Sequence, residues 1–124
     1  MNKKYNILIV EDEDATRLAL KDKLENNGYN ILQAPNGLEG FDMAIKNKPD
    51  LILLDIVMPV MDGLTMLRNL RKDDWGKKAR VIMLTNLSDP EKEEETSKSG
   101  VFGYFVKSNW KLVDLLSTIK LILK

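Results

Sequence analysis

The sequence predicts one α/β domain over residues 1–124, a parallel five-stranded sheet with helices on both faces. Three observations predict it. Five short apolar runs alternate with longer segments of helical spacing, the order of βαβ units. The runs ILIV, LILL and VIML are continuous rather than alternating, as in strands covered on both sides. A chain of 124 residues suits a single domain, burying roughly two thirds of its unfolded surface. Right-handed crossovers then place helices on both faces.

The elements follow in order. The first strand is Asn6 to Val10, and its helix runs Asp14 to Asn27 with Thr16, Leu20 and Leu24 at i, i+4 spacing. Asn27-Gly28 is a helix stop signal. The second strand is Asn30 to Ala34. The helix after it, Gly37 to Asn47, carries Leu38, Phe41, Met43, Ala44 and Ile45, and Pro49 ends it. The third strand is Leu51 to Leu54, followed by a loop with Pro59 and Gly63 and a helix bearing Leu64, Met66, Leu67 and Leu70. The fourth strand is Arg80 to Leu84. Ser88 to Ser99 reads SDPEKEEETSKS, with no large apolar residue. A helix polar all round packs weakly, so this one is expected to be the loosest element. The fifth strand is Gly103 to Val106. The last helix, Trp110 to Leu123, sets Leu112, Leu115, Leu116, Ile119, Ile122 and Leu123 in one arc, with Leu121 outside it.

Composition excludes several function classes. Lys plus Arg and Asp plus Glu are 19 each, so no net charge draws the chain to nucleic acid or an anionic membrane. No apolar run approaches the roughly 18 residues of a membrane span, and the start lacks a signal peptide. A cytoplasmic protein is the default expectation. Without cysteine there is no disulfide. Without histidine there is no Ser–His–Asp or Cys–His catalysis, and the commonest general base is missing. Chemistry must come from carboxylates, hydroxyls, lysine, backbone and a hard metal.

Sites on an open α/β sheet form at the carboxyl ends of its strands. Here ILIV is followed by Glu11, Asp12 and Glu13, LILL by Asp55, VIML by Thr85 and YFV by Lys107. Parallel strands gather these groups on one rim. Crowded carboxylates raise one another's pKa or hold a cation. Oxygen-only ligands favour Mg²⁺ or Ca²⁺ over zinc, and few protein ligands plus water favour Mg²⁺. Metal, lysine and hydroxyl together describe a phosphoryl site, in which a central carboxylate can be the nucleophile. Taken singly, each residue has a plainer reading. Asp12 or Asp14 is a helix cap, Asp55 a turn residue, Lys107 a solvated lysine, Thr85 a strand-end hydroxyl and Tyr104 a core aromatic. Only the coincidence at four strand ends argues otherwise.

ILIVEDE, LILLDIVMPVMDG, VIMLT and GYFVK, in that order and spacing, resemble the response-regulator receiver domain of two-component signalling, over the whole chain. The resemblance implies a doubly wound, flavodoxin-like (βα)5 sandwich of strand order 2-1-3-4-5. It implies Mg²⁺-dependent transfer of a phosphoryl group to Asp55 from the phosphohistidine of a sensor kinase or histidine phosphotransfer protein. By position, Asp12, Asp55 and the Val57 carbonyl ligate Mg²⁺, and Glu11 acts mainly through a metal-bound water. Thr85 and Lys107 neutralise phosphoryl oxygens, and Tyr104 reorients when Thr85 moves. The surface of the fourth helix, fifth strand and fifth helix then changes. Output is by docking to a target protein, or through an output domain outside this chain. A homodimer stays open as an oligomeric state.

The chain departs from the family pattern in places. Ser108 replaces the usual proline after the lysine; a cis bond there would cost about 2.5–4 kcal/mol against roughly 0.5–1 for proline. Ser108-Asn109 reads instead as an N-cap for the last helix. Asn86 stands where a small residue is usual. Val57 and Leu87 stand where polar residues would position hydrolytic water, so slow self-dephosphorylation is expected. A phosphohydrolase would need an acid/base carboxylate at Val57. A nucleotide or flavin binder would need a glycine cradle where EDEDAT stands. The remaining alternative is a degenerate receiver that binds partners without phosphorylation.

Overall fold

The computed structural model describes residues 4–85, 90–107 and 111–123. The expectations placed on Asn86, Leu87, Ser108 and Asn109, and on Trp110 as the start of the last helix, lie outside the described residues.

The elements are β1 (Asn6–Val10), α1 (Asp14–Asn26), β2 (Asn30–Ala34), α2 (Gly37–Asn47), β3 (Leu51–Asp55), α3 (Gly63–Lys72), a 3₁₀ turn (Gly76–Lys78), β4 (Val81–Thr85), α4 (Pro90–Lys98), β5 (Gly103–Val106) and α5 (Leu112–Ile122). The strands form one sheet of order β2-β1-β3-β4-β5. Every pairing is parallel. β3 and β4 each extend one residue past the apolar run, so Asp55 and Thr85 are the last residues of their strands.

Period-two alternation divides the core between the two faces of the sheet. Ile7, Ile9, Leu51, Leu53, Ile82 and Leu84 pack with Leu20 and Leu24 of α1 and with Leu115, Leu116 and Ile119 of α5. Leu8, Val10, Ile52, Leu54, Val81 and Met83 pack with Ala44 of α2 and with Leu64, Met66, Leu67 and Leu70 of α3. The expectation of burial on both faces holds for β3 and β4 throughout and for β1 beyond Asn6. The edge strands, on which that expectation was not placed, differ. Most of β2 and all of β5 are only half-buried, because an edge strand has a neighbour on one side alone. Leu121 is exposed, as its place outside the arc of α5 predicts.

The helix ends carry matched charge. First turns hold Asp14 in α1, Glu39 in α2, Glu91 and Glu93 in α4 and Asp114 in α5. Last turns hold Lys23, Lys46, Arg71 with Lys72, Lys98 and Lys120. Each complements the helix dipole. α2 and α3 are also capped by side chains, Asn36 accepting from the Glu39 N–H and Asp62 from the Thr65 N–H. α5 begins at Leu112 with Lys111 in the cap position and no side-chain cap bond.

At the amino end of the sheet one guanidinium gathers several carbonyls. Arg71 Nη1 donates to Gly76 O at 2.7 Å and Ala79 O at 2.8 Å, and its Nε donates to Ser99 O at 2.7 Å. It thereby joins α3, the 3₁₀ turn, the entry to β4 and the end of α4. Among the described side chains of α4 only Thr96 is buried, and its hydroxyl donates to Glu93 O. Besides Arg71, α4 is tied to α3 by the Arg68–Glu95 ion pair.

Candidate functional site

β1 and β3 are adjacent central strands, so the residues at their carboxyl ends lie side by side. Glu11, Asp12 and Asp55 each offer a carboxylate oxygen, and these oxygens all lie within 4.8 Å of one another. Glu11 and Asp55 are buried and Asp12 is exposed. Lys107 follows β5 and reaches across the end of β4. Its Nζ lies 2.7 Å from Glu11 Oε2 and 3.5 Å from Asp55 Oδ2. The lysine's primary partner is therefore Glu11 rather than the central aspartate.

The electrostatics follow from burial. Loss of solvent pushes Glu11 up to about 7, and the nearby Asp55 adds to this, while the hydrogen bond from Lys107 opposes it. Burial also raises Asp55 above the ordinary aspartate value, with Lys107 pulling the other way. A single ammonium does not neutralise a pair of buried carboxylates with a third beside them. The set lacks nitrogen and sulfur ligands and is partly open to water through Asp12, which suits a small hard cation such as Mg²⁺.

The sheet fixes the remaining residues. Thr85 ends β4 fully buried, and its carbonyl accepts the Lys107 N–H. Tyr104 pairs with Met83, and Thr85 lies two residues beyond Met83, so Thr85 and Tyr104 share a face of the sheet. Tyr104 is half-buried against the α2–α3 side of the core. Val57 lies two residues past Asp55, with its side chain 54% exposed.

The loop after β3 is tightly drawn. The Gly63 N–H donates to Ile56 O at 2.8 Å. A Cβ at Gly63 would collide with the backbone carbonyl of Asp55, so only glycine lets α3 start this close to the acidic residue. Val60 in the same loop has φ of +68° and is 77% exposed. That backbone region is an outlier for a β-branched residue.

Arg17 is a site-proximal residue that sequence reading misses. Its Nη1 donates to Glu11 O at 2.8 Å, its Nε to Gln33 Oε1 at 3.3 Å, and it pairs with Asp14. A polar residue on the first helix gives no sequence signal for a bond to a carbonyl in the loop. The helix-cap reading of Asp12 and Asp14 is not met either. Glu13 is the N-cap of α1 and makes no side-chain cap bond; it accepts from the Thr16 hydroxyl instead.

A doubly wound parallel sheet with buried carboxylates, a lysine and a threonine at its carboxyl end defines a class, the phosphoacceptor switch domains. The family model of the response regulator receiver domain matches residues 7–120, and the chain belongs to that family. It is 36% identical over 107 residues to sporulation initiation phosphotransferase F of Bacillus subtilis, covering 86% of this chain and 83% of that protein. It is 32% identical over 118 residues to the DNA-binding dual master transcriptional regulator RpaA of Synechocystis sp., covering 95% of this chain. The chain spans 48% of RpaA, about half its length. Among solved structures, the CheX-CheY-BeF3-Mg+2 complex from Borrelia burgdorferi superposes with a TM-score of 0.87 at 30% identity, covering 97% of this chain and 90% of that one. The chain is thus a phosphorylation-controlled signalling switch, a class not generally counted among enzymes. Among the described residues, no helix is long and apolar enough to cross a membrane.

Proposed function

We propose that Asp55 accepts a phosphoryl group from the phosphohistidine of a partner kinase or phosphotransfer protein. The observation that carries this reading is the meeting of Glu11, Asp12 and Asp55 oxygens within 4.8 Å, with Lys107 in reach of two of them. Asp12, Asp55 and the Val57 carbonyl would hold Mg²⁺, with Glu11 acting through a bound water. The ion would supply positive charge that offsets the repulsion among the carboxylates and the incoming phosphoryl oxygens. The solved relative from Borrelia burgdorferi, a complex with BeF3 and Mg²⁺, supports this assignment by likeness.

In the transfer, an Asp55 Oδ forms a bond to phosphorus as the phosphorus–nitrogen bond to the donor imidazole breaks. The electron pair of that bond returns to the donor nitrogen. Lys107 swings from Glu11 to a phosphoryl oxygen, and the Thr85 hydroxyl donates to another. Movement of Thr85 leaves space on its face of the sheet, which Tyr104 fills. The surface of α4, β5 and α5 changes as a result. Among the described side chains of α4 only Thr96 is buried, which supports α4 as the element that yields.

A cleft of about 460 Å³ between α1 and α5, lined by Ala15, Thr16, Ala19, Leu20 and Leu112, opens beside Lys107 and would admit a donor side chain. The partners downstream are a target protein or an output domain, and the setting is cytoplasmic. Self-dephosphorylation is slow, because exposed Val57 cannot orient a hydrolytic water. Val57→Asn should speed phosphate release, and unchanged release would count against this point.

Incubation with a small phosphodonor and Mg²⁺, followed by intact mass, tests the whole reading. Addition of one phosphoryl group, abolished in Asp55→Ala, is the expected result. Absence of any addition to the parent protein would leave a partner-binding domain that works without phosphorylation.

A further inference from the structure

Arg17 has a role that the reaction itself does not require. β1 pairs with β3 only as far as Val10 opposite Leu54. Beyond that point Glu11 keeps one backbone bond to the sheet, its N–H donating to Ala34 O at 3.1 Å. Its carbonyl takes a donor from a side chain instead, Arg17 Nη1 at 2.8 Å. The peptide between Glu11 and Asp12 is therefore held on its carbonyl side by the guanidinium. That peptide sets where both carboxylates point.

The guanidinium is itself oriented from two directions. Gln33 Oε1 on β2 accepts from Nε, and Asp14 in the first turn of α1 pairs with Nη2. The Arg17 side chain is 15% exposed, against 81% for Asp14. Arg17 thus joins the end of β1, the neighbouring edge strand and α1 through one planar group. Lysine, with a point charge and no fork, could not make these bonds together.

We infer that Arg17 is a positioning residue: through the Glu11 carbonyl it fixes the Glu11–Asp12 peptide so that these carboxylates and Asp55 converge on one divalent cation. The inference rests on the metal reading proposed above. Its physical signature is a sign. Arg17 is a cation near a cation site, so charge alone would make its loss tighten metal binding. Loss of positioning would weaken binding instead. Groups that orient metal ligands from behind commonly matter by about tenfold or more in metal affinity.

Mg²⁺ titration calorimetry at fixed ionic strength, on the folded full chain, decides it. The parent should bind Mg²⁺. Arg17→Lys, which keeps the charge, and Arg17→Met, which removes it, should both raise Kd by about tenfold. Gln33→Met removes only the outer bond and should raise Kd by a smaller factor; it serves if the Arg17 variants fail to fold. A purely structural Arg17 would lower the melting temperature and leave Kd of the folded protein unchanged. Arg17→Lys or Gln33→Met binding like the parent, or Arg17→Met binding more tightly, would overturn the inference while the metal site stands. A parent that binds no Mg²⁺ would overturn both.

Discussion

The two ends of the sheet treat buried charge in opposite ways. At the carboxyl end, Glu11 and Asp55 are buried beside Asp12 with one lysine between them. At the amino end, Arg71 is surrounded by carbonyl oxygens, with three donor contacts of 2.7–2.8 Å. One cluster is under-neutralised; the other is satisfied and ties α3, β4 and α4 together. The difference teaches that stability and reactivity are kept at separate poles. A site that must take on a new charged group cannot already be at its electrostatic optimum.

Breaking the satisfied pole should have the largest effect. Arg71→Met removes the donor from several carbonyls at once and should cost about 2–4 kcal/mol in urea unfolding. Hydrogen exchange should rise at residues 76–79 and at the end of α4, and an unchanged exchange pattern there would dissolve the contrast. The opposite sign is expected at the other pole. In chelator, Asp55→Asn should raise stability by about 1–2 kcal/mol by relieving repulsion. A lower melting temperature than the parent would show that crowding is not the dominant effect.

A pH series sharpens the comparison further. Glu11 has its folded-state pKa raised from 4.5 to about 7, so the folded protein binds more protons than the unfolded chain between those values. Metal-free stability should therefore fall as pH rises through that window and level off above it. The raised pKa of Asp55 acts in the same direction. Glu11→Gln should flatten the profile; an equally steep decline would place its origin elsewhere. The smallest effect is expected at the surface tie between α3 and α4. Its side chains are 54% and 38% exposed, and Glu95→Ala should cost less than about 1 kcal/mol. A loss as large as that of Arg71→Met would make Arg68–Glu95, rather than Arg71, the anchor of α4.

Much of this was legible in the sequence. The apolar runs gave the central strands to within a residue, because continuous Leu, Ile and Val leave little else to be. The polar groups after ILIV, LILL, VIML and YFV converge because parallel topology requires it. What escaped reading was side-chain reach. Lys107 could pair with any rim carboxylate, and only the folded structure brings it nearer to Glu11 than to Asp55. Arg71 closes an amphipathic helix and looks solvated, yet it meets Ser99, 28 residues away. Arg17 looks equally ordinary. Bonds from a side chain to a distant carbonyl depend on fold and leave no periodic trace. The outermost strands were legible only through the resemblance, whose order 2-1-3-4-5 the sheet reproduces, since NILQA and GYFV do not by themselves say which strands stand at the edges.

The charged turns at the helix ends have a consequence of their own. Every helix runs back against the sheet, so the acidic first turns of α1, α2, α4 and α5 collect at one end of the molecule and the basic last turns at the other. Equal totals of opposite charge, 19 and 19, thus conceal opposite charge at the two ends of the helices. Anion- and cation-exchange surfaces should each retain it, gripping opposite ends, and an approaching macromolecule would feel a torque before it felt any contact.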